Sequence, residues 1–390
     1  MQYREDKYGN PLSVLGYGCM RFTQKLGHID LEKAEREIGL AIEGGVNYFD
    51  TAYIYPGSEA ALGEILQRNG WRDRVRIATK LPHYLIKDEN SAEKFFAEEL
   101  RRLRTDHVDY YLMHMLTDVD TWDRLRALHL PEWLEEKKAA GQIGQVGFSY
   151  HGNSDMFIQL LEAYPWDFCQ IQYHYLDEHS QAGRTGLERA RELGIPVIIM
   201  EPLRGGKLAD GLPADAKKRF AQAGHSPVEW AFRWLWDQEG IAVVLSGMNS
   251  EKMVAENIAY TDNAHIGSLS DEERAIFADV VKIINAKIRI PCTGCRYCMP
   301  CPQHVDIPGA FAAYNRRFSD NYFTAQKEHI MCAGLRKETT EASKCIGCGK
   351  CERHCPQQIP IRENLKQVQA SLEGPVYKVG KAVLKLVMKY

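Results

Sequence analysis

Short apolar runs alternate with longer amphipathic stretches along most of the chain, and that alternation sets the expected fold. The runs are VLGYGCM (14–20), VNYFDTA (46–52), VRIATK (75–80), VDYYLMH (108–114), IGQVGFS (143–149), FCQIQYH (168–174), IPVIIMEP (195–202) and IAVVLSG (241–247). Each has the length and the β-branched or aromatic content of a buried strand. Helical periodicity fills the gaps. LEKAEREIGLAIEGG puts Ile38, Ala41 and Ile42 on one face, and Glu59 favours the dipole in the first turn of a helix starting near Ser58. Further helices are expected over 91–104, over 121–140, after Asn153, over 181–193, over 214–238 and from Ser250. Eight strand–helix units in about 250 residues predict a (β/α)8 TIM barrel. A doubly wound open sheet would normally carry a Gly-rich dinucleotide turn after its first strand, and the sequence has none. The N-terminal YREDKYGNPLSVL contains a Gly-Asn-Pro turn and reads as a hairpin plugging the barrel's bottom, while 270–287 reads as an extra helix that ends the barrel.

Beyond the barrel the pattern changes to cysteine. Eight of the eleven cysteines form two runs, Cys292-x2-Cys295-x2-Cys298-x2-Cys301-Pro302 and Cys345-x2-Cys348-x2-Cys351-x3-Cys355-Pro356. The second has the spacing that wraps a cubane 4Fe-4S cluster, and the first repeats it one residue shorter. Three thiolates from one turning loop grip three irons, and the Cys beside the proline ligates the partner cluster where a domain carries two. Zinc also accepts four thiolates, but its sites rarely need three consecutive CxxC steps and a Cys-Pro, here used twice. Two 4Fe-4S clusters are therefore expected. Cys19, Cys169 and Cys332 lie outside the runs, and the first two suit small buried hydrophobes. The chain divides into a barrel (1–286), a small α-helical ferredoxin-like domain (287–372) and a basic amphipathic helix (373–390). On that helix Lys378, Lys381, Lys385 and Lys389 oppose Val379, Val383, Leu386 and Val387. Such a helix can lie on a membrane, but an apolar stripe with few large side chains is expected to pack on its own protein or a partner.

Composition changes little: 45% hydrophobic and 26% charged residues are ordinary for a soluble globular protein. No apolar stretch is long enough to span a bilayer, and the polar start MQYREDKYGNPL lacks a signal peptide's apolar core. With many reduced thiols, this predicts a cytoplasmic location. Charge is uneven, since 17 Lys and Arg against 8 Asp and Glu after residue 286 give +9 there and leave −12 on the barrel. A basic cluster domain suits docking of an acidic carrier such as a ferredoxin or flavodoxin, although a solvated basic surface explains the charge equally well. No aromatic-interleaved basic motif points to nucleic acid.

Four polar residues fall at the C-terminal ends of predicted strands, where TIM barrels keep their active sites: Asp50, Tyr55, Lys80 and His114. Singly, each has a structural explanation. Together they fit carbonyl chemistry. A tyrosine near pKa 10 donates sluggishly at neutral pH, and a Lys80 ammonium beside Tyr55 is expected to bring it down. Asp50 would pair with Lys80, and His114 would orient the substrate carbonyl.

FDTAYIYPGSEAALGE (49–64), IATK (77–80), YLMH (111–114), VGFS (146–149), IQYH (171–174) and SGMNSEKMVAEN (246–257) make residues 10–285 resemble the aldo-keto reductase family. PCTGCRYCMPCP and CIGCGKCERHCP resemble its subgroup with a C-terminal ferredoxin-like domain. The resemblance implies that Asp50, Tyr55, Lys80 and His114 are the catalytic tetrad and that NAD(P)H binds extended across the barrel mouth without a Gly-rich fingerprint. Ser149 and Gln172 match positions holding the nicotinamide carboxamide, Met200 the position that usually stacks an aromatic ring, and Leu203, Ser246, Gly247, Asn249, Glu256 and Asn257 further cofactor contacts. This chain departs from the family in having Tyr150 after the serine, where Asn is usual. Gly247 and Met253 replace the basic contacts to a 2′-phosphate, with Lys252 one residue away.

A nicotinamide moves a hydride, whereas a 4Fe-4S cluster ordinarily passes one electron. Three schemes reconcile them: a flavin such as FMN splits the pair, the clusters reduce the substrate in single-electron steps, or the clusters are structural. The expected activity is an iron–sulfur oxidoreductase interconverting a small-molecule carbonyl and an alcohol, with NAD(P)H ahead of a flavin and electrons exchanged through the clusters. The alternative is a redox sensor or electron-transfer subunit whose barrel binds a flavin or a partner without carbonyl turnover. Specificity is expected to lie in loops 82–90, 115–121 and 203–225.

Overall fold

The computed structural model describes every residue except Glu89, Lys287, Thr293, Cys295, Pro356, Lys389 and Tyr390. Eight parallel strands close a barrel: Leu15–Gly18, Tyr48–Asp50, Arg76–Leu81, Val108–Leu116, Ile143–Tyr150, Phe168–Gln172, Val197–Met200 and Ile241–Ser246. The last pairs with the first, Leu245 opposite Gly16. The register sets Asp50 opposite Ala78 and Lys80 opposite Leu112, so Asp50, Lys80 and His114 all reach the C-terminal rim. The predicted plug is present. Strands Tyr3–Glu5 and Pro11–Ser13 pair antiparallel and drive Leu12 into the barrel's inner cluster with Tyr48, Tyr110, Phe168 and Val243. Tyr110 Oη donates to Asp6 Oδ2 at 2.6 Å, and Arg4 donates to the carbonyls of Trp236 and Ile241.

Two expected helices are each broken in two. Residues 121–140 become Val119–Arg126 and Leu130–Ala139, because His129 turns left-handed (φ 54°) and Pro131 restarts the helix in its first turn. Residues 214–238 become Ala214–Gln222 and Pro227–Trp236, separated by Gly224 (φ 89°) and restarted by a Ser226 cap before Pro227. Helix Asp271–Asn285 then ends the barrel.

The cysteine-bearing module has its own core of Ile290, Val305, Phe311, Ile359, Leu365, Val368 and Leu372, built on helices Ile307–Ser319, Tyr322–His329 and Ile361–Leu372. The last helix, Pro375–Val387, packs on this module, but not through the expected stripe. Tyr377, Leu384 and Met388 dock on Ile330 and Leu335, leaving Val379, Val383, Leu386 and Val387 at least half exposed. The docked strip wins because Tyr377 offers the largest ring, and its phenol donates to Glu341 Oε1 at 2.6 Å. Lys381 and Lys385 also reach back, to Glu341 and to the Arg336 carbonyl; Lys389 lies outside the described residues. Among the described residues no helix is long and apolar enough to cross a membrane.

The module sits over the loops that follow the fifth, sixth and seventh strands. Arg296 pairs with Asp155, Arg316 with Asp177, and Asp320 with Arg204.

Candidate active site and cluster cavities

Three strand ends and one loop bring the predicted four together. Lys80, 1% exposed, donates from Nζ to Asp50 Oδ1 at 2.5 Å and to the Thr51 carbonyl at 2.6 Å. The other Asp50 oxygen accepts from Gln170 Nε2 at 2.8 Å, so the carboxylate is fixed from both sides. Lys80 Nζ lies 5.2 Å from the centroid of the half-buried Tyr55 ring, and that ring meets His114 edge-on at 6.0 Å. Tyr84, from loop 82–90, stands 6.3 Å from His114 and narrows the mouth.

The electrostatics correct one expectation. Lys80 does pull the Tyr55 phenol down, but burial outweighs it and Asp50 adds to the rise, so the phenol ends above its ordinary value. Lys80 itself is raised: burial works against its charge, and Asp50 and Tyr55 more than offset it. His114 is held well below the usual imidazole value by burial and then by Lys80, so it stays neutral and suits hydrogen bonding to a carbonyl. The resting site is thus a protonated phenol, an ammonium–carboxylate pair and a neutral imidazole.

The expected cofactor contacts differ in burial and in partners. Ser149 Oγ accepts from the Met115 N–H at 2.8 Å, which steadies a left-handed Met115 (φ 61°) directly after His114. Gln172 Oε1 accepts from Gln181 Nε2 at 3.0 Å, and Asn257 donates to Ser246 Oγ at 2.9 Å. Met200 packs on the barrel's inner cluster. Tyr150 points outward, with its ring 5.0 Å from Phe157 and its phenol donating to the Asn153 carbonyl, so it takes no place at the rim. Gly247 and Met253 are exposed, Leu203 and Asn249 are half-buried, and Lys252 pairs with Glu256 at 3.7 Å on the helix surface.

Sequence reasoning missed Arg21. This exposed side chain runs across two loops: a Cβ on Gly247 would lie 3.0 Å from its Cδ, and one on Gly205 would lie 3.1 Å from its Nη2. No hydrogen bond or ion pair engages its guanidinium among the described residues, so an unspent cation crosses a cradle made by two missing side chains. That fits the phosphates of an extended dinucleotide. The signal was present: a lone Arg directly after the first strand, with Arg204-Gly205-Gly206 and Gly247 after the last two.

The module's cysteines partition across the two runs. One cavity of about 320 Å³ is lined by Cys292, Cys298 and Cys355, with Arg296, Ile307 and Phe311. The second, about 380 Å³, is lined by Cys301, Cys345, Cys348 and Cys351, and Cys298 lines it as well as the first. Each Cys-Pro cysteine thus lines the other run's cavity, the crossed arrangement expected of two 4Fe-4S clusters. Cys295 lies outside the described residues. Among those described, no three His, Cys, Asp or Glu side chains converge tightly enough for a single ion. The crossed sharing of Cys355 and Cys301 between the two runs is what fits a pair of clusters. Cys19 and Cys169 are buried in the barrel core, as expected.

Two regions of the chain match known families. Residues 14–281 match the aldo/keto reductase family, and residues 291–359 match a 4Fe-4S dicluster domain. An aldo-keto reductase from Mycolicibacterium smegmatis is 35% identical over 259 residues, covering 64% of this chain and 81% of the relative. One from a Mycobacterium species is 27% identical over 276 residues, covering 68% and 86%. Among solved structures, a Bacillus halodurans aldo-keto reductase in its holo form aligns with a TM-score of 0.59 at 24% identity, covering 72% of this chain and 96% of that one. A Klebsiella pneumoniae aldo-keto reductase in complex with NADPH gives 0.58 at 22%, with the same coverage.

Proposed function

Because the chain belongs to the aldo/keto reductase family, we propose that it interconverts a small-molecule carbonyl and an alcohol, with NADP(H) as the hydride carrier and Tyr55 as acid and base. The juxtaposition of Tyr55, Lys80, Asp50 and His114 at one rim carries this reading. NADPH, when bound, supplies a hydride to the carbonyl carbon. Neutral His114 holds the carbonyl oxygen, and Tyr55 Oη gives that oxygen its proton. The Lys80 ammonium, anchored by Asp50 and Thr51, stabilises the phenolate left behind. Arg21 holds the phosphates, while Gln172, Ser246, Gly247 and Asn257 line the cofactor's path. The solved neighbour carrying NADPH supports the nicotinamide ahead of FMN.

The direction of the Tyr55 shift fixes a pH dependence. Reduction draws on protonated phenol, so its rate should have no falling limb below the ordinary phenol value of about 10. Oxidation of the alcohol needs phenolate, so it should rise with pH over the same range. Steady-state rates in both directions check this; a reduction rate that falls through about pH 7 to 8 contradicts the assignment.

The module gives a second reading of the electron supply. The cavity of Cys292, Cys298 and Cys355 lies against the barrel: Arg296 on its wall pairs with Asp155, and a Cβ on Gly294 would come within 2.5 Å of His179. The other cavity is lined by the exposed Cys348 and Lys350 and by Arg362, which pairs with Glu352; the exposed lysine suits an acidic carrier such as a ferredoxin or flavodoxin. The cysteines of the two runs would hold two clusters, which when reduced would supply the two electrons that a carbonyl needs, the two protons coming from solvent. The intact rim and the cradled Arg21 favour hydride. Anaerobic assay of NADPH oxidation against a panel of carbonyls tests the proposal; reversible cluster titration without turnover on any of them would leave only electron transfer.

A further inference from the structure

The loop after the seventh strand has an unfavourable shape, and a residue of the cluster module anchors two of its side chains. Four residues there are left-handed: Glu201 (φ 52°), Arg204 (49°), Gly205 (67°) and Gly206 (94°). Two of them carry side chains, and such a conformation persists only where surrounding contacts hold it. Backbone hydrogen bonds within the loop close its turns, among them Arg204 N–H to the Glu201 carbonyl and Gly206 N–H to the Leu203 carbonyl, and the side-chain contacts that reach it from the cluster module centre on one carboxylate. Asp320 Oδ2 accepts from Arg204 Nη2 at 2.7 Å and from Lys207 Nζ at 3.1 Å; Lys207 also donates to Thr324 Oγ1 at 3.1 Å. The Arg204 and Asp320 side chains are 5% and 6% exposed, so the pair is shielded from water and salt. Between its two basic anchors lies Gly205, the residue over which the Arg21 guanidinium passes.

Asp320 is itself held rigidly. It occupies the corner between helices Ile307–Ser319 and Tyr322–His329; its N–H donates to the Arg316 carbonyl at 2.9 Å, and Asn321 caps the second helix. The first helix begins at the clusters. Ile307 lines both cysteine cavities, and Pro308 and Phe311 line the first. One 13-residue helix, about 20 Å long, therefore has a cluster wall at one end and the anchor of the barrel loop at the other.

We infer that Asp320 is a positioning residue for NADP(H), through which the cluster-bearing module sets the shape of the barrel loop and hence the barrel's affinity for its cofactor. The inference rests on the proposed binding of NADP(H) across this rim. It gives the clusters a function that needs no electron to pass between cluster and nicotinamide: they order the helix, the helix places Asp320, and Asp320 holds Arg204 and Lys207 so that Gly205 lies under Arg21. Coupling of this kind is reciprocal, so NADPH in turn steadies the module corner.

The test measures the NADPH dissociation constant of the anaerobic, cluster-replete full chain, by protein fluorescence, in the wild type and in D320N, D320E and K207M. D320N should weaken NADPH about tenfold or more, D320E should recover most of that loss, and K207M should weaken it about threefold, with iron content and cluster absorbance unchanged. In the wild type alone, saturating NADPH should slow hydrogen exchange over residues 316–329, which does not depend on any variant folding. Wild-type affinity in D320N with clusters intact, or unchanged exchange over 316–329 on NADPH binding, overturns the inference while leaving the cofactor assignment standing. A wild type that binds no NADPH overturns the cofactor assignment first, and the inference with it.

Discussion

Replacing Tyr55 with phenylalanine should lower carbonyl turnover by about a hundredfold or more, while NADPH affinity and cluster absorbance stay as in the wild type. Phenylalanine keeps the ring that meets His114 edge-on at 6.0 Å and removes only the oxygen, so the rim should keep its packing. What is lost is the proton donor, since none of Lys80, Asp50 and neutral His114 can replace it. The Lys80 proton is bound more firmly than in free lysine, because Asp50 at 2.5 Å favours the charged form. Lys80→Met should also be severe, for a different reason: it leaves buried Asp50 without its cation, so some of its loss should appear as lowered stability. Steady-state rates beside thermal melts separate the two effects. Wild-type turnover in the phenylalanine variant would reject Tyr55 as the acid.

Cys355→Ser should remove the cluster on the barrel side, even though Cys355 belongs in sequence to the second run. Its side chain lines the cavity of Cys292 and Cys298, not that of Cys345, Cys348 and Cys351. Iron content should fall from about eight to about four atoms per chain, with the outer cluster's signal intact in electron paramagnetic resonance. Cys301→Ser should do the opposite, because Cys301 lines the outer cavity. If each substitution instead damaged the cluster of its own run, the crossed partition would be wrong.

Much of this architecture is legible in the chain because barrel strands buried on both faces announce themselves as continuous apolar runs. The polar residues that end those runs, Asp50, Lys80 and His114, stand out against them. The plug hairpin is readable for a related reason, since its Gly-Asn-Pro turn and Leu12 have no other obvious use. The failures have physical causes. Periodicity continues across the breaks at His129 and Gly224, where a local turn decides and an averaged pattern does not. The terminal helix offers two apolar strips, and which one docks depends on Glu341 meeting the Tyr377 phenol, a pairing of residues 36 apart in sequence. The direction of the Tyr55 shift is not legible in the chain, because a nearby ammonium is visible in the sequence whereas the depth of burial opposing it is not. Arg21 and Asp320 escaped notice because their meaning lies in what they cross or hold in space.

If a hydride from NADPH reaches the carbonyl carbon at the Tyr55 rim, an isotope on the nicotinamide will follow it into the product. Anaerobic, cluster-replete protein would be given NADPH deuterated at the transferable nicotinamide position together with an accepted carbonyl, and the alcohol product examined by mass spectrometry. One deuterium should appear on the product carbon for each turnover, whatever the redox state of the clusters. Product carrying only solvent hydrogen at that carbon, formed at a rate set by cluster reduction, would contradict it and make the clusters the source of both electrons.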